Sequence, residues 1–122
     1  MRRAITIAFA GMLFFATSAS AVRELVQIEE PQPAQRVEGI VLDPSGAPIP
    51  NMTVSDCTEK WAATLRTTTT DSKGRFHFSS QHGRNLYYLR FDSLLFNPLE
   101  LKLQLDKNAS QRGITVKPPI GG

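Results

Sequence analysis

Along most of the chain, apolar and polar residues alternate with a period of two, the signature of a strand with one buried face. The clearest run places Leu99, Leu101, Leu103 and Leu105 on one side and Glu100, Lys102 and Gln104 on the other. Upstream, Tyr87, Leu89 and Phe91 alternate within Leu86–Asp92, and Phe76 and Phe78 straddle His77. Val37–Asp43 is an apolar-rich run stopped by the turn sequence Pro44-Ser45-Gly46, and Ile49–Asp56 sets Met52 and Val54 on one face. Trp61–Thr69 is rich in β-branched residues, with Trp61, Ala63 and Leu65 two apart, and Ile114 with Val116 closes the series. About seven strands at a spacing of roughly 8–12 residues, joined by turn-rich loops, predict an all-β antiparallel sandwich. The leucine-rich stretch Asn85–Leu105 is the one place where a helix competes, and its period of two and Pro98 favour strands.

Residues 1–21 break this pattern. Arg2 and Arg3 precede an apolar stretch from Ala4 to Ala16, and Ala19-Ser20-Ala21 has the small-residue form that a signal peptidase accepts. The stretch is short for a bilayer span, which needs roughly 20 apolar residues. The expectation is therefore an exported protein, periplasmic or secreted, cut after Ala21 and left with no stable membrane anchor. An uncleaved N-terminal anchor is the alternative. Residues 22–36 read as a flexible leading segment, because Pro31 and Pro33 interrupt the mild alternation that would let Leu25, Val26 and Ile28 add a short edge strand. Residues 37–117 read as the folded domain and residues 118–122 as a loose tail.

Charge follows the same division. The whole chain has 14 Lys and Arg against 11 Asp and Glu, a net charge of +3. Without residues 1–21, the remaining 101 of 122 residues hold 12 basic and 11 acidic side chains, a net of +1. The basic excess belongs to the leading segment, and no clustered patch remains of the kind that neutralises phosphates, so no nucleic-acid partner is expected. A single cysteine excludes an intramolecular disulfide and a cysteine-held metal cluster, and two histidines are too few for a multi-histidine centre. No cofactor or metal is expected.

The order of motifs resembles a known family. "VEGIVLDPSGAPIPNMTV" is similar to the opening of the carboxypeptidase regulatory-like domain, with Gly39, Val41, Asp43, Gly46, Pro48, Ile49 and Val54 on its pattern. "TTTTDSKGRFHF", Thr67–Phe78, resembles that domain's second hallmark, and "LYYLRF" with the leucine alternation resembles its later strands. The resemblance implies a Greek-key-type, prealbumin-like sandwich, grouped with transthyretin-like and carbohydrate-binding-like folds and non-catalytic in itself. Departures are Met52 in place of alanine, the polar break Asp56–Lys60, and Asn85-Leu86 where a glycine is usual before Tyr87. The residues also have a physical reading. Gly46 and Gly74 end sharp turns, Asp43 and Asp71 are placed to accept hydrogen bonds from turn amides, and Phe76 and Phe78 point between two sheets. Gly39 and Pro48 belong to the same structural set.

Candidate chemistry is sparse. His77 and His82 are the only imidazoles, and a small hydrolase or metal-dependent enzyme built on them is one alternative reading. The chain has no G-x-S-x-G elbow and no H-E-x-x-H pair, and Ser79 and Ser80 lie near the histidines only in sequence. The favoured reading is an exported, non-catalytic interaction module recognising a glycan or a protein of the cell envelope. If exposed, Trp61 and Tyr88 are the aromatic candidates for stacking on a sugar, although a place in the core is the favoured reading of Trp61. Cys57, among the polar residues Asp56, Thr58 and Glu59, reads as the tip of a loop; an inert thiol is the favoured reading, and an intermolecular disulfide in a homodimer is the alternative. A self-associating unit, through that disulfide or through edge addition by Val22–Ile28, is the remaining alternative.

Overall fold

Among the described residues the alternation yields eight strands: β1 (Val26–Ala34), β2 (Glu38–Val41), β3 (Thr53–Cys57), β4 (Thr64–Thr69), β5 (Arg75–His77), β6 (Leu86–Asp92), β7 (Leu99–Leu105) and β8 (Ile114–Val116). The structure is a computed structural model that describes residues 24–119. The apolar stretch Ala4–Ala16 and the expected cleavage site at Ala21 lie outside the described residues.

The strands form two sheets, one of five in the order β1-β7-β6-β3-β4 and one of three in the order β5-β2-β8. Their facing sides enclose the core. Val54, Leu89, Phe91 and Leu103 from the large sheet meet Val41, Phe76, Ile114 and Val116 from the small one. Phe76 and Phe91 join the sheets edge to face, with ring centroids 5.2 Å apart at 73°. The register of β6 against β7, with Tyr87 opposite Leu103, Leu89 opposite Leu101 and Phe91 opposite Leu99, keeps both alternations on the same inner face. The expected all-β sandwich holds.

Three details differ from the sequence expectation. Residues 26–34 are not a linker but a nine-residue strand, paired in parallel with β7 from Val26–Leu99 to Ala34–Leu105. Pro31 and Pro33 fit because β1 is an edge strand, where one side of the backbone needs no partner, and because the register shifts between Ile28 and Gln32. A second parallel pair joins β2 to β8, so the strands are not all antiparallel. The expected loose tail is in part tied down: Pro118 is buried, and Asn97 donates its backbone N–H to the Pro119 carbonyl at 3.3 Å.

Both edges of the large sheet are blunted. On β4, Asp56 pairs with Arg66 and Cys57 with Thr64, which leaves Leu65 as the extra residue of a bulge beside an inward-pointing charge. On β1 the prolines and the register shift have the same effect. The segment proposed for edge addition, Val22–Ile28, therefore has its Val26–Ile28 portion already paired within its own sheet.

Candidate functional site

The two hallmark aspartates build the same turn twice. At Asp43 the carboxylate Oδ1 accepts hydrogen bonds from the Ser45 backbone N–H at 2.9 Å, the Ser45 hydroxyl at 2.7 Å and the Ala47 N–H at 2.9 Å. At Asp71, Oδ1 accepts from the N–H groups of Lys73 and Arg75, both at 2.9 Å. In each turn the glycine three residues on donates to the aspartate's own carbonyl at 2.9 Å, and Gly46 and Gly74 hold φ of 94° and 74°. Gly39 serves packing instead: a Cβ there would lie 2.4 Å from the Ile114 carbonyl oxygen and 2.9 Å from the Phe76 ring. Pro48 bridges back to Leu42, and Phe76 and Phe78 are buried.

These hydrogen bonds favour the ionised carboxylates. Asp43 is held below its ordinary value first by the Ser45 hydroxyl, and Asp71 first by the Arg75 backbone N–H. A carboxylate whose folded pKa is depressed contributes stability above its unfolded value, near 3.8 here, and loses it as pH falls through the lower folded value. Urea unfolding of the wild type should therefore weaken on acidification below about pH 4, the range of an unperturbed Asp. An Asp43→Asn, Asp71→Asn double variant should show a shallower decline over that range, and parallel curves would remove these two groups as the cause.

The large sheet's outer face carries the aromatic candidates. Trp61 lies in a short 3-10 turn, Glu59–Trp61, rather than at the head of a strand, and it is 6% exposed. Its indole N–H donates to the carbonyls of Leu89 at 3.0 Å and Leu101 at 3.3 Å, and Arg90 donates to its carbonyl at 2.8 Å. These contacts hold Lys60 and Trp61 in left-handed conformations, with φ of 57° and 54°. Tyr88 meets the indole edge-on at 5.1 Å and is half-buried. Trp61 is thus packed and offers no flat platform: its ring seals the sheet, and of the two aromatic candidates Tyr88 keeps the solvent-facing surface.

Cys57 is the last residue of β3 and fully buried, not the tip of a loop. Burial pushes its thiol upward, with Arg90 acting against that. An intermolecular disulfide would require this region to open.

A network that the sequence reading passed over sits beside it. Asp56 is fully buried on the inner face, where Arg66 Nε approaches it at 2.7 Å and Arg84 Nη2 at 2.6 Å. Arg66 lies over the Phe78 ring and Arg84 over the Tyr87 ring, with the guanidinium carbon 4.9 Å and 4.1 Å from the respective centroids. Arg66 also donates to the carbonyl of Ser79 at 2.7 Å. The signal was present: Met52, Val54 and Asp56 share one parity, so an acid stands at a core-facing position and demands a cation.

His77 lies exposed on β5, opposite Glu38 on β2, and His82 is exposed between Gln81 and Gly83 in the turn before β6. Among the described residues, no cluster of three or more His, Cys, Asp or Glu side chains is placed to hold a metal ion. His77 does line a groove of about 570 Å³ along the small sheet, with Glu38, Thr69, Asp71, Arg75 and Thr115. Glu38 is held there by Arg112 at 3.2 Å.

Together these features define a two-sheet β-sandwich module whose hallmark side chains are built into turns and core. Residues 36–117 match the carboxypeptidase regulatory-like domain, and the chain belongs to that family. All of β1 precedes the matched region. No curated protein matches the chain.

Proposed function

We propose that this protein is a non-catalytic binding module that acts outside the cytoplasm and presents its small sheet to a polypeptide of the cell envelope. One observation carries the reading. The family's hallmark residues are consumed by turns and packing, whereas the groove over β5, β2 and β8 retains exposed Arg75, His77 and Thr115 around a cavity of about 570 Å³. A protein partner is favoured over a glycan because Trp61, the larger of the two stacking candidates, is spent on the sheet beneath it. Export rests on the Arg2–Ala21 sequence.

Two measurements test this. Sequencing of the protein recovered outside the cytoplasm should begin at Val22, and retention of residues 1–21 would overturn the cleavage. A photo-crosslinking residue placed at His77 or Thr115 should capture a discrete envelope protein in living cells, and the same residue at Lys107 should not. Equal capture at all three positions, or none at the groove, removes the groove as the binding surface. Ester or amide hydrolysis by the purified protein that disappears in both His77→Ala and His82→Ala would replace this reading with the enzymatic one.

A further inference from the structure

The two most exposed large apolar side chains of the described residues are neighbours at one end of the sandwich. Leu94 is 92% and Leu95 77% exposed in the connection between β6 and β7. Leu25, 48% exposed, is brought to the same end because the next residue, Val26, donates its N–H to the Pro98 carbonyl at 2.9 Å. The turn after β2 completes the surface: Asp43, Pro44 and Ser45 face Leu95 and Phe96 across an apolar notch of about 390 Å³. Adjacent leucines this exposed do no packing for the core, and a grouping of this kind marks a surface that meets a partner or a membrane.

We propose that this end of the sandwich contacts the surface of a lipid bilayer, with Leu94 and Leu95 inserted among the acyl chains. Two observations select a bilayer over another protein. Leu94 and Leu95 protrude, which suits a deformable apolar medium better than a fixed complementary surface. The chain also enters the sandwich at this end: the eight residues 17–24 that separate Ala16 from Leu25 reach about 29 Å at full extension. While the apolar stretch Ala4–Ala16 is still joined to the chain, a membrane that takes it up lies within that reach of the Leu94 end. The inference rests on the export reading only for the presence of that membrane, and it does not involve the groove. With a net charge of +1 beyond residue 21, attraction comes from apolar insertion and not from lipid charge.

Vesicle flotation tests it with the chain from Val22 to Gly122, which contains all eight strands and the whole core cluster. The protein should float with neutral phosphatidylcholine vesicles to the same extent at low and high salt. A Leu94→Ser, Leu95→Ser double variant should bind at least about tenfold less, in line with two leucines withdrawn from the interface. Its melting temperature should be unchanged, because neither side chain is buried. No flotation, flotation unaffected by the double substitution, or flotation confined to anionic vesicles and lost in salt would each overturn the proposal. So would analytical ultracentrifugation showing that the two leucines mediate self-association in the absence of lipid. His77→Ala should leave flotation intact, so failure of the groove reading and failure of this one are separable.

Discussion

Asp56→Ala should lower stability by about 3 kcal/mol, the lower end of what removing one partner from a buried ion pair costs. The carboxylate is fully buried and meets three guanidinium nitrogens, from Arg66 at 2.7 Å and from Arg84 at 3.0 and 2.6 Å. Its loss leaves two like charges at the end of the core, stacked on Phe78 and Tyr87. The arginine side chains retain 25% and 21% exposure, so each can turn partly to water, which keeps the penalty from being larger. For a domain of this size the melting temperature should fall by about 15 °C. Arg66→Ala should cost less than Asp56→Ala, because Arg84 continues to neutralise the acid. Asp56→Asn separates charge from shape: it keeps an acceptor and the volume, so a loss matching that of alanine would assign the effect to the ion pair. A loss under about 1 kcal/mol for Asp56→Ala would mean that the site is far more hydrated than the contacts indicate.

Gly74→Ala should cost about 3 kcal/mol, and Gly46→Ala only about 1 kcal/mol, although the two glycines occupy equivalent places in matching turns. Both hold positive φ, 74° and 94°, so both substitutions carry the left-handed penalty. They differ in what surrounds the added methyl. At Gly46 there is nothing within 4 Å, whereas at Gly74 the new carbon would lie 2.5 Å from the Val41 carbonyl oxygen and 3.1 Å from Pro48. Val41 cannot retreat freely: its N–H donates to the Gly74 carbonyl at 2.8 Å, and its carbonyl accepts from the Ile49 N–H at 3.0 Å. Equilibrium urea unfolding of the two variants decides the matter. Equal losses would show that conformation alone, not crowding between the turn and β2, requires the second glycine.

Much of the fold was legible because a two-residue period survives translation into structure. Leu99 to Leu103 and Tyr87 to Phe91 face inward as their alternation requires, since a slip of one residue would turn every one of them to water. The strand at residues 26–34 was not legible, because two prolines weigh against a strand until one knows that it lies at an edge. Cys57 and Trp61 were misplaced for a shared reason. The polar run Asp56–Lys60 reads as a solvated tip, yet Asp56 is neutralised by arginines ten and twenty-eight residues away. The turn that follows folds Trp61 over the outer face through carbonyls of β6 and β7. Such partners are distant in the chain, and local composition is silent about them. The groove containing His77 was invisible for the same reason, because it is assembled from strands that meet only in the sheet.

The hydrogen bonds from Val26 to Pro98 and from Asn97 to Pro119 bring the first and last described residues to neighbouring positions at one pole. A unit whose entry and exit points are adjacent can be spliced into a surface loop of a host protein without prying that loop open. Grafted in this way, the sandwich would hang from its host by two closely spaced connections, with the far ends of its strands directed away.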